Sequence, residues 1–476
     1  MLEICFKHVR SFLFKLCMKA NTISCQIRHG DTCTFLFVVR VYYVTAMKPT
    51  KVYLQTFGCA TNQADSEALA GCLAHAGYEL VDAVDEADVL VYNTCAVKGP
   101  TENRVVEALK RAASGKKIIV AGCLPLINFD RLQREVRFDA VVGPAVADRI
   151  AHVVQRVLSG EKIVDLGPRH ELPSLSLPRV RFNPVVSVLP VSYGCLGACA
   201  YCCVVFARGK LRSYSVGSLV EQVKQDLAVG VKEFWITSQD VGCYGKDLGI
   251  DVADLLQCLC KVDGDFKVRV GMMTPNTIIG ILDSVVAAYG NEKIFKFIHL
   301  PVQSGDDETL KQMRRLYTVA DFRRVVQAFR RAYPEVTLST DVICGFPGET
   351  RVAFEKTLSL VEELKPDIVN VSKFFPRPGT LAANLRRAFL DREEIKRRSA
   401  EAAQLAKQVA HERNERWVGW VGDALVEEKG KKPETWVARN FAYKPIVVHS
   451  AINLLGKRIR AEIVQAKSTY LIGKIV

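Results

Sequence analysis

The chain has 476 residues, 49% of them hydrophobic and 24% charged, which is typical of a folded globular protein and excludes a disordered one. Its formal net charge of +14 favours an anionic partner, nucleic acid first, although solvated lysine faces would give the same charge. Sixteen cysteines in a chain of this size, with no clear secretory signal, argue against a disulfide-bonded secreted domain and indicate free thiols or metal ligands.

Residues 1–46 form an atypical extension that we set apart from the fold. The segment holds four of the cysteines and shows no hydrophobic period. Its apolar run TFLFVVRVYYV is too short to span a membrane and contains Arg40. Because Met47 stands just before the first convincing strand, a misassigned start codon is one explanation, and an organelle presequence is the alternative.

Residues 47–166 predict a parallel α/β domain. Three apolar runs, KVYLQTFG, ADVLVYNTC and KKIIVAGC, indicate buried strands, and we expect a helix from Asp65 to His75. Short strands that alternate with helices imply a parallel sheet. The proline-rich stretch that follows, residues 167–184, indicates a linker.

Residues 185–410 contain a second alternating series, which predicts a partial (β/α)6 barrel. Its strand-like runs are VVSVLPVSYG, EFWITSQD, FKVRVGMM, KFIHLPVQS, VTLSTDVICGF and DIVNVSKFF. The C-terminal ends of barrel strands carry the functional groups, and polar side chains collect there. Gln239, Gln303 and Asp341 are therefore candidates for binding a cofactor, with a capping role in the loops as the alternative.

Residues 411–476 predict a small all-β barrel that follows a charged, helical connector. The segment has twelve Lys and Arg against seven Asp and Glu. Basic barrels with exposed aromatic residues commonly hold single-stranded nucleic acid. Trp436, Phe441 and Tyr443 are candidates for such contacts, and a place in the core of the module is the alternative for each.

Three cysteines, Cys195, Cys199 and Cys202, have the spacing C-x3-C-x2-C just after the first barrel strand. Three thiolates on a four-iron cluster would leave one iron open for an exogenous ligand. A structural zinc ion is the alternative, but it requires a fourth protein ligand. Neighbouring side chains diverge, so Cys203 is poorly placed to supply that ligand, and we expect it to be a bystander.

A second set of cysteines, Cys59, Cys95 and Cys123, follows three predicted strands of the N-terminal sheet. The ends of parallel strands lie at one edge of a sheet, so these side chains can converge on a common point. Burial as ordinary core cysteines is the alternative for each one singly.

The motif C-x3-C-x-aromatic-C, which includes Tyr201, resembles that of the radical S-adenosylmethionine (SAM) enzymes. From Lys51 to Val476 the chain resembles the methylthiotransferase family, on the segments QTFGCATNQADSE, NTCAVKGPTENRV, VAGC, GCLGACAYCCVVFARGKLRSY, HLPVQSGDDETLKQMRR, TDVICGFPGET and FFPRPGT. The resemblance implies that Cys195, Cys199 and Cys202 hold a 4Fe-4S cluster that binds SAM, with Tyr201 beside it. It further implies that Cys59, Cys95 and Cys123 hold a second 4Fe-4S cluster and that the C-terminal barrel is an RNA-binding TRAM module.

The wording of several segments is most similar to the archaeal and eukaryotic threonylcarbamoyladenosine branch: NTCAVKGP, AGCLP, ITSQDVGCYGKDLG, FRRVVQAFRRAYPEVTLSTDVICGFPGET and AEIVQAKSTYLIGKI. This resemblance implies a transferase that converts N6-threonylcarbamoyladenosine at position 37 of tRNA to its 2-methylthio derivative. The alternatives are isopentenylated adenosine in tRNA, an aspartate of a ribosomal protein, or an iron–sulfur RNA-binding protein that does not cleave SAM. The implied partners are the tRNA anticodon loop, an electron donor and a sulfur donor, in the cytoplasm and without a membrane.

Overall fold

The computed structural model describes residues 48–112, 115–167 and 171–476. The predicted extension, residues 1–46, lies outside the described residues. Residues Pro49–Val476 form one compact unit. No helix in the described ranges is long and apolar enough to cross a membrane.

The N-terminal region is a six-stranded parallel sheet in the order β2-β1-β3-β4-β5-β6, as the alternating pattern predicted. Its strands are β1 Lys51–Thr56, β2 Glu79–Val81, β3 Val89–Thr94, β4 Lys117–Gly122, β5 Ala140–Val142 and β6 Ile163–Asp165. Its helices are α1 Ala60–His75, α2 Gly99–Arg111, α3 Leu124–Ile127, α4 Phe129–Glu135 and α5 Ile150–Leu158. Helix α1 begins five residues before the predicted Asp65, directly after Cys59, because polar residues of its first turns are buried against the neighbouring strand ends.

The central region is an open barrel made of two three-stranded parallel sheets, β11-β10-β7 and β12-β13-β14. Its six strands confirm the partial barrel: β7 Val186–Pro190, β10 Glu233–Thr237, β11 Lys267–Val270, β12 Phe297–His299, β13 Thr337–Cys344 and β14 Ile368–Lys373. A short antiparallel pair, β8 Ser192–Tyr193 and β9 Arg212–Ser213, closes the base of the cysteine loop.

The helices of the central region alternate with its strands. They are α6 Val204–Arg208, α7 Val216–Ala228, α8 Val252–Cys260, α9 Pro275–Ile278, α10 Leu282–Ala288, α11 Asp307–Gln312, α12 Val319–Ala332, α13 Arg351–Leu364, α14 Leu381–Asn384 and α15 Arg392–Glu415. The amphipathic pattern of α12 is typical: Val319, Phe322, Val325, Val326 and Phe329 are buried, and Arg324 and Arg331 are exposed.

The C-terminal region is a closed five-stranded barrel in the order β15-β16-β17-β19-β18, which confirms the predicted all-β module. The strands are β15 Val421–Lys429, β16 Thr435–Arg439, β17 Pro445–His449, β18 Arg458–Ala466 and β19 Leu471–Ile475. Trp436 lies in the core of this barrel, and Tyr443 is buried against Phe295 and Phe297 of the central region. Phe441 is partly buried and packs against Trp417 and Trp420. All three aromatic residues considered for nucleic acid therefore have a packing role.

The regions share packed surfaces. Cys203 and Ala207, from the segment after the cysteine triad, belong to the same apolar core as residues of β3, α2 and β4. The cysteine loop of the barrel is thereby fixed against the N-terminal sheet.

Candidate functional site

The N-terminal cysteines lie at the carboxyl ends of three adjacent parallel strands. Cys59 caps the start of α1, Cys95 directly follows β3, and Cys123 directly follows β4. The backbone at Gly58 has φ +117°, and a Cβ there would lie 2.6 Å from the Cβ and 3.0 Å from the Sγ of Cys95. A glycine is needed at this position because the Cys59 and Cys95 loops approach so closely.

One buried side chain, Asn62, ties the three cysteine loops together. Its Nδ2 donates to the carbonyl oxygens of Phe57 at 2.8 Å and Thr94 at 2.9 Å. Its Oδ1 lies 3.9 Å from the Sγ of Cys123. Asn62 thus contacts each loop next to its cysteine, a role that the sequence analysis missed, although its position three residues after Cys59 is a signal that could have indicated it.

Arg208 reaches the same place from the central region. Its Nη2 donates to Asn62 Oδ1 at 2.6 Å and lies 2.7 Å from Asp65 Oδ2. Asp65 also accepts a 2.6 Å hydrogen bond from the hydroxyl of Tyr193, whose ring lies under the guanidinium. All four side chains are at most 5% exposed.

Burial keeps most of these thiols protonated in the metal-free protein. It raises the pKa of Cys95 to about 12, and it raises the pKa of Cys123 against the opposing effect of the nearby Arg208 guanidinium. Because thiolates and not thiols bind iron, loading of these cysteines releases protons.

The second cysteine set lies in the loop between β8 and α6. Gly194 has φ +80°, and a Cβ there would lie 2.0 Å from the carbonyl oxygen of Lys210, so only glycine fits. Its amide donates to Gln239 Oε1 at 2.7 Å. A Cβ on Gly197 would lie 3.3 Å from the Sγ of Cys195 and 3.6 Å from that of Cys199, so both thiols turn toward the centre of the loop.

Two neighbours of this loop were not expected from the sequence. Arg315 donates from Nη1 to Cys199 Sγ at 3.1 Å and from Nε to the hydroxyl of Tyr317 at 3.0 Å. A hydrogen bond with Cys243 lowers the pKa of Cys195 to about 7, whereas burial raises the pKa of Cys202 to about 12. Arg315 is 116 residues from Cys199 in the chain, so no local pattern indicates the pair.

Of the other candidates for cofactor binding, Gln239 and Gln303 follow barrel strands as expected, whereas Asp341 lies within β13 and Tyr201 lies in the cysteine loop, and some of their polar atoms already have protein partners. Gln239 bridges Gly194 to Thr61 of α1, with its Nε2 3.4 Å from the threonine hydroxyl. Asp341 lies 2.6 Å from Nε2 of His299, and Gln303 has the strained φ of +70°. Tyr201 packs edge-on against Phe346 at 6.5 Å.

Two further residues of the sequence motifs brace the interface. Cys203 is buried, and its Sγ lies 3.8 Å from the carbonyl oxygen of Ala96 in the N-terminal region. Arg377 is buried and paired with the equally buried Glu102 of α2. Both residues hold the barrel against the N-terminal sheet.

The donor chemistry of each set fits an iron–sulfur cluster. Among the described residues no three Cys, His, Asp or Glu side chains lie close enough to hold one metal ion together. A 4Fe-4S cluster takes its cysteines on different irons, so its thiolates stay further apart than the ligands of a single zinc ion. Each set has three thiol donors, which are soft ligands, and a glycine without a side chain leaves space beside them. Both sets therefore match that requirement.

Exposed apolar residues, which we call the apolar rim, lie beside the cysteine loop. They are Phe206, Phe375, Leu381 and Leu385, each more than 40% exposed. The ring of Phe375 lies on Gly99, and that of Phe206 lies beside Gly379. Exposed basic residues occur in the same segments: Lys98, Lys210, Lys373, Arg386 and Arg387. Apolar rings beside positive charges are suited to unpaired nucleotides.

Comparison with known families matches all three regions. Residues 51–143 match the uncharacterized protein family UPF0004, residues 189–361 the radical SAM superfamily, and residues 415–476 the TRAM domain. Among solved structures, the chain resembles the radical SAM methyltransferase TsrM from Kitasatospora setae with a TM-score of 0.50 at 13% identity, over 70% of this chain and 77% of that one. This likeness shows the fold alone.

Relatives match along most of the chain. A probable threonylcarbamoyladenosine tRNA methylthiotransferase of Pyrococcus horikoshii is 40% identical over 429 residues, which are 90% of this chain and 99% of that protein. The threonylcarbamoyladenosine tRNA methylthiotransferases of Xenopus laevis and Homo sapiens are 35% and 34% identical, over 90% of this chain and 77% and 74% of theirs. On this extent of similarity, the chain belongs to the threonylcarbamoyladenosine tRNA methylthiotransferase family.

Proposed function

We propose that this protein converts N6-threonylcarbamoyladenosine at position 37 of tRNA to 2-methylthio-N6-threonylcarbamoyladenosine. It is a radical SAM enzyme that transfers a sulfur-containing group. In the proposal, Cys195, Cys199 and Cys202 hold the 4Fe-4S cluster that binds SAM. Cys59, Cys95 and Cys123 hold a second 4Fe-4S cluster.

One observation carries the proposal: two separate sets of three cysteines are joined across one interface by side chains of both regions. Gln239 links the Cys195 loop to α1, and Arg208 links the segment after the triad to Asn62. A single metal centre would not require two such sets. Two sets are required by a reaction that generates a radical at one place and delivers sulfur at another.

The bound cofactors would supply a radical able to abstract hydrogen from an aromatic carbon that has no easy polar route to sulfur. The chain's own residues orient the reacting groups and shield them from water. The Tyr193–Asp65–Arg208 group closes one side of the interface, because each member is almost wholly buried. Burial of these side chains limits the access of water to their side of the interface, which protects reactive intermediates.

An RNA substrate is supported by the surface around the site. The net charge is +14, and the basic residues of the described segments beside the apolar rim are exposed. Aromatic rings such as Phe206 give bases a stacking platform, and the lysines and arginines contact phosphates. The substrate enters at this rim, with the TRAM module holding more of the tRNA. The electron donor and the sulfur donor belong to the proposal as separate partners.

The test is nucleoside mass spectrometry of tRNA from a host that makes threonylcarbamoyladenosine but lacks its methylthiolation. Expression of the full chain is expected to produce the methylthio nucleoside. The matched control is the chain with Cys195, Cys199 and Cys202 all changed to alanine, which is expected to produce none. Absence of the product from a native chain that holds both clusters and cleaves SAM would contradict the proposed substrate.

A further inference from the structure

Arg208 occupies an unusual place between the two cysteine sets. It is the last residue of α6, six residues after Cys202, yet its guanidinium lies among residues of the N-terminal region. The chain distance between Arg208 and its partner Asn62 is 146 residues.

The polar atoms of Arg208 are only partly satisfied by the protein. Nη2 serves both Asn62 and Asp65, whereas Nη1 is buried and has no acceptor among the described residues. A buried donor without a partner destabilises the folded protein, and more so when the group is charged. A bound group can supply the missing acceptor, and the surroundings of the atom decide which group that is.

The surroundings of Arg208 identify the chemistry of that acceptor. Asn62, which Arg208 contacts, lies against Cys123 and against the carbonyl groups that precede Cys59 and Cys95. Thiolates and inorganic sulfide carry negative charge and accept hydrogen bonds. Hydrogen bonds to cluster sulfur and nearby charge set the reduction potential of iron–sulfur clusters.

We propose that Arg208 is a positioning residue whose Nη1 donates a hydrogen bond to a sulfur atom of the cluster held by Cys59, Cys95 and Cys123, and that its charge raises the reduction potential of that cluster. This inference rests on the two-cluster part of the proposed function. Arg208, six residues after the last cysteine of the SAM-binding triad, thus stabilises the reduced state of the other cluster.

Arg377 provides a matched control inside the same molecule. It is as deeply buried as Arg208, pairs with Glu102 of the N-terminal region, and also has an unpartnered Nη1. It neighbours Cys203, which belongs to neither cysteine set. Removal of a buried interface arginine should by itself have the same effect at both positions. A specific effect on the N-terminal cluster should appear only when Arg208 is removed.

The experiment uses the full chain with Cys195, Cys199 and Cys202 changed to alanine, so that only the N-terminal cluster can form. Iron and sulfide per chain are measured after anaerobic reconstitution, and the midpoint potential is measured by redox titration followed by electron paramagnetic resonance. The first variant is Arg208→Met alone. The second combines Arg208→Met with Asp65→Asn and is compared with Asp65→Asn alone. The control variant combines Arg377→Met with Glu102→Gln. The paired variants avoid an uncompensated buried carboxylate that could prevent folding.

Loss of Arg208 is expected to shift the reduction equilibrium toward the oxidised cluster by about tenfold, which is about 59 mV for a one-electron couple. The Arg377 pair is expected to leave the potential unchanged. The inference is overturned if the Arg208 variants hold full iron with an unchanged potential, or if both arginines shift it equally. A parent that binds no iron at Cys59, Cys95 and Cys123 would instead refute the two-cluster assignment on which the inference rests.

Discussion

At the scale of single residues, the site depends on side chains that make several contacts at once. Asn62 holds the loops of three cysteines, and Arg315 holds the thiol of Cys199 and the hydroxyl of Tyr317. Neither residue is a metal ligand in the proposal. Both determine where the ligands lie.

The two cysteine sets are expected to give different phenotypes when one ligand is removed. Cys195→Ala should abolish both SAM cleavage and the methylthio product, because the radical source is lost. Cys59→Ala should abolish the product and leave some SAM cleavage. Cys72→Ala, in the last turn of α1, is the control and should behave as the native chain does. Both readouts come from anaerobic assays on reconstituted protein, and a normally methylthiolating Cys59→Ala variant would contradict the two-cluster assignment.

Asn62→Ala is expected to loosen the N-terminal cysteine loops. The part-buried carbonyl of Phe57 loses its donor, at a cost of roughly 1–3 kcal/mol, and the carbonyl of Thr94 keeps only the amide of Cys123 as a donor. We expect a lower melting temperature and less iron at the N-terminal set, measured by thermal denaturation and iron analysis. Gln63→Ala, on the next residue of the same helix, is the control. Equal iron content in both variants would show that Asn62 is not needed to hold the loops.

At the scale of elements, the cysteine loop is shaped by backbone contacts at both of its ends. The β8–β9 pair closes its base, and the amide of Ala200 donates to the carbonyl oxygen of Met313 at 2.9 Å. Ala200 in turn accepts from the amide of Ala382 at 2.8 Å. The loop is thus fixed to two neighbouring segments of the barrel.

Gly194→Ala is expected to disrupt this loop, because an added Cβ would clash with the Lys210 carbonyl at a backbone angle that disfavours alanine. The iron content should fall by about half if each set holds one four-iron cluster. Gly217→Ala, which meets open space in α7, is the control and should retain all iron. Full iron content in the Gly194 variant would mean that the loop tolerates the strain.

The apolar rim is expected to contribute directly to tRNA binding. Phe206→Ala should weaken tRNA affinity by about 1–3 kcal/mol, the usual contribution of one stacked base. Val229→Ala, an exposed apolar residue just after α7, should leave affinity unchanged. Affinities are compared by filter binding at one fixed salt concentration. An unchanged affinity for the Phe206 variant would place RNA elsewhere on the surface.

At the scale of the whole molecule, two buried carboxylates join the barrel to the TRAM module. Glu233 of β10 and Glu427 of β15 are nearly inaccessible to solvent. Burial, together with the adjacent Glu427, raises the pKa of Glu233 well above its usual value. Neighbouring groups oppose this rise in the pKa of Glu233: Trp235 donates to Glu233 at 2.5 Å, and Arg439 pairs with Glu427. Tyr443 and Arg269 also face the group.

Stability is therefore expected to fall as the pH rises. Because the pKa of Glu233 is raised in the native protein, folding favours its protonated form. This stabilisation is complete below pH 4.5, the ordinary glutamate pKa, and is lost as the pH rises from there to the raised native pKa. The loss is at most about 1.4 kcal/mol per pH unit. Urea unfolding from about pH 5 upward, followed by tryptophan fluorescence, measures it. Glu233→Gln should remove most of the pH dependence of the free energy of unfolding, and Glu428→Gln, at an exposed position, should not. If the pH dependence persists in Glu233→Gln, another group causes it.

The sequence by itself determined the three-part architecture and the two cysteine sets. Strand and helix periods are local properties of the chain, and the triad spacing of Cys195, Cys199 and Cys202 is visible over eight residues. It did not determine the start of α1, because burial of Asn62 and Asp65 depends on strand ends far along the chain. Nor did it separate core from surface for Trp436 and Tyr443, since an aromatic residue suits either environment.

Only the tertiary structure decided which side chains act on the cysteines. Arg208 and Asn62, Arg315 and Cys199, and Arg377 and Glu102 are 146, 116 and 275 residues apart. The first and third pairs form because packing of the barrel against the N-terminal sheet brings two surfaces together, and the second forms inside the barrel, where the segment after α11 meets the cysteine loop. The reach of a side chain across such an interface depends on the positions of both backbones, and no local pattern of the sequence encodes it.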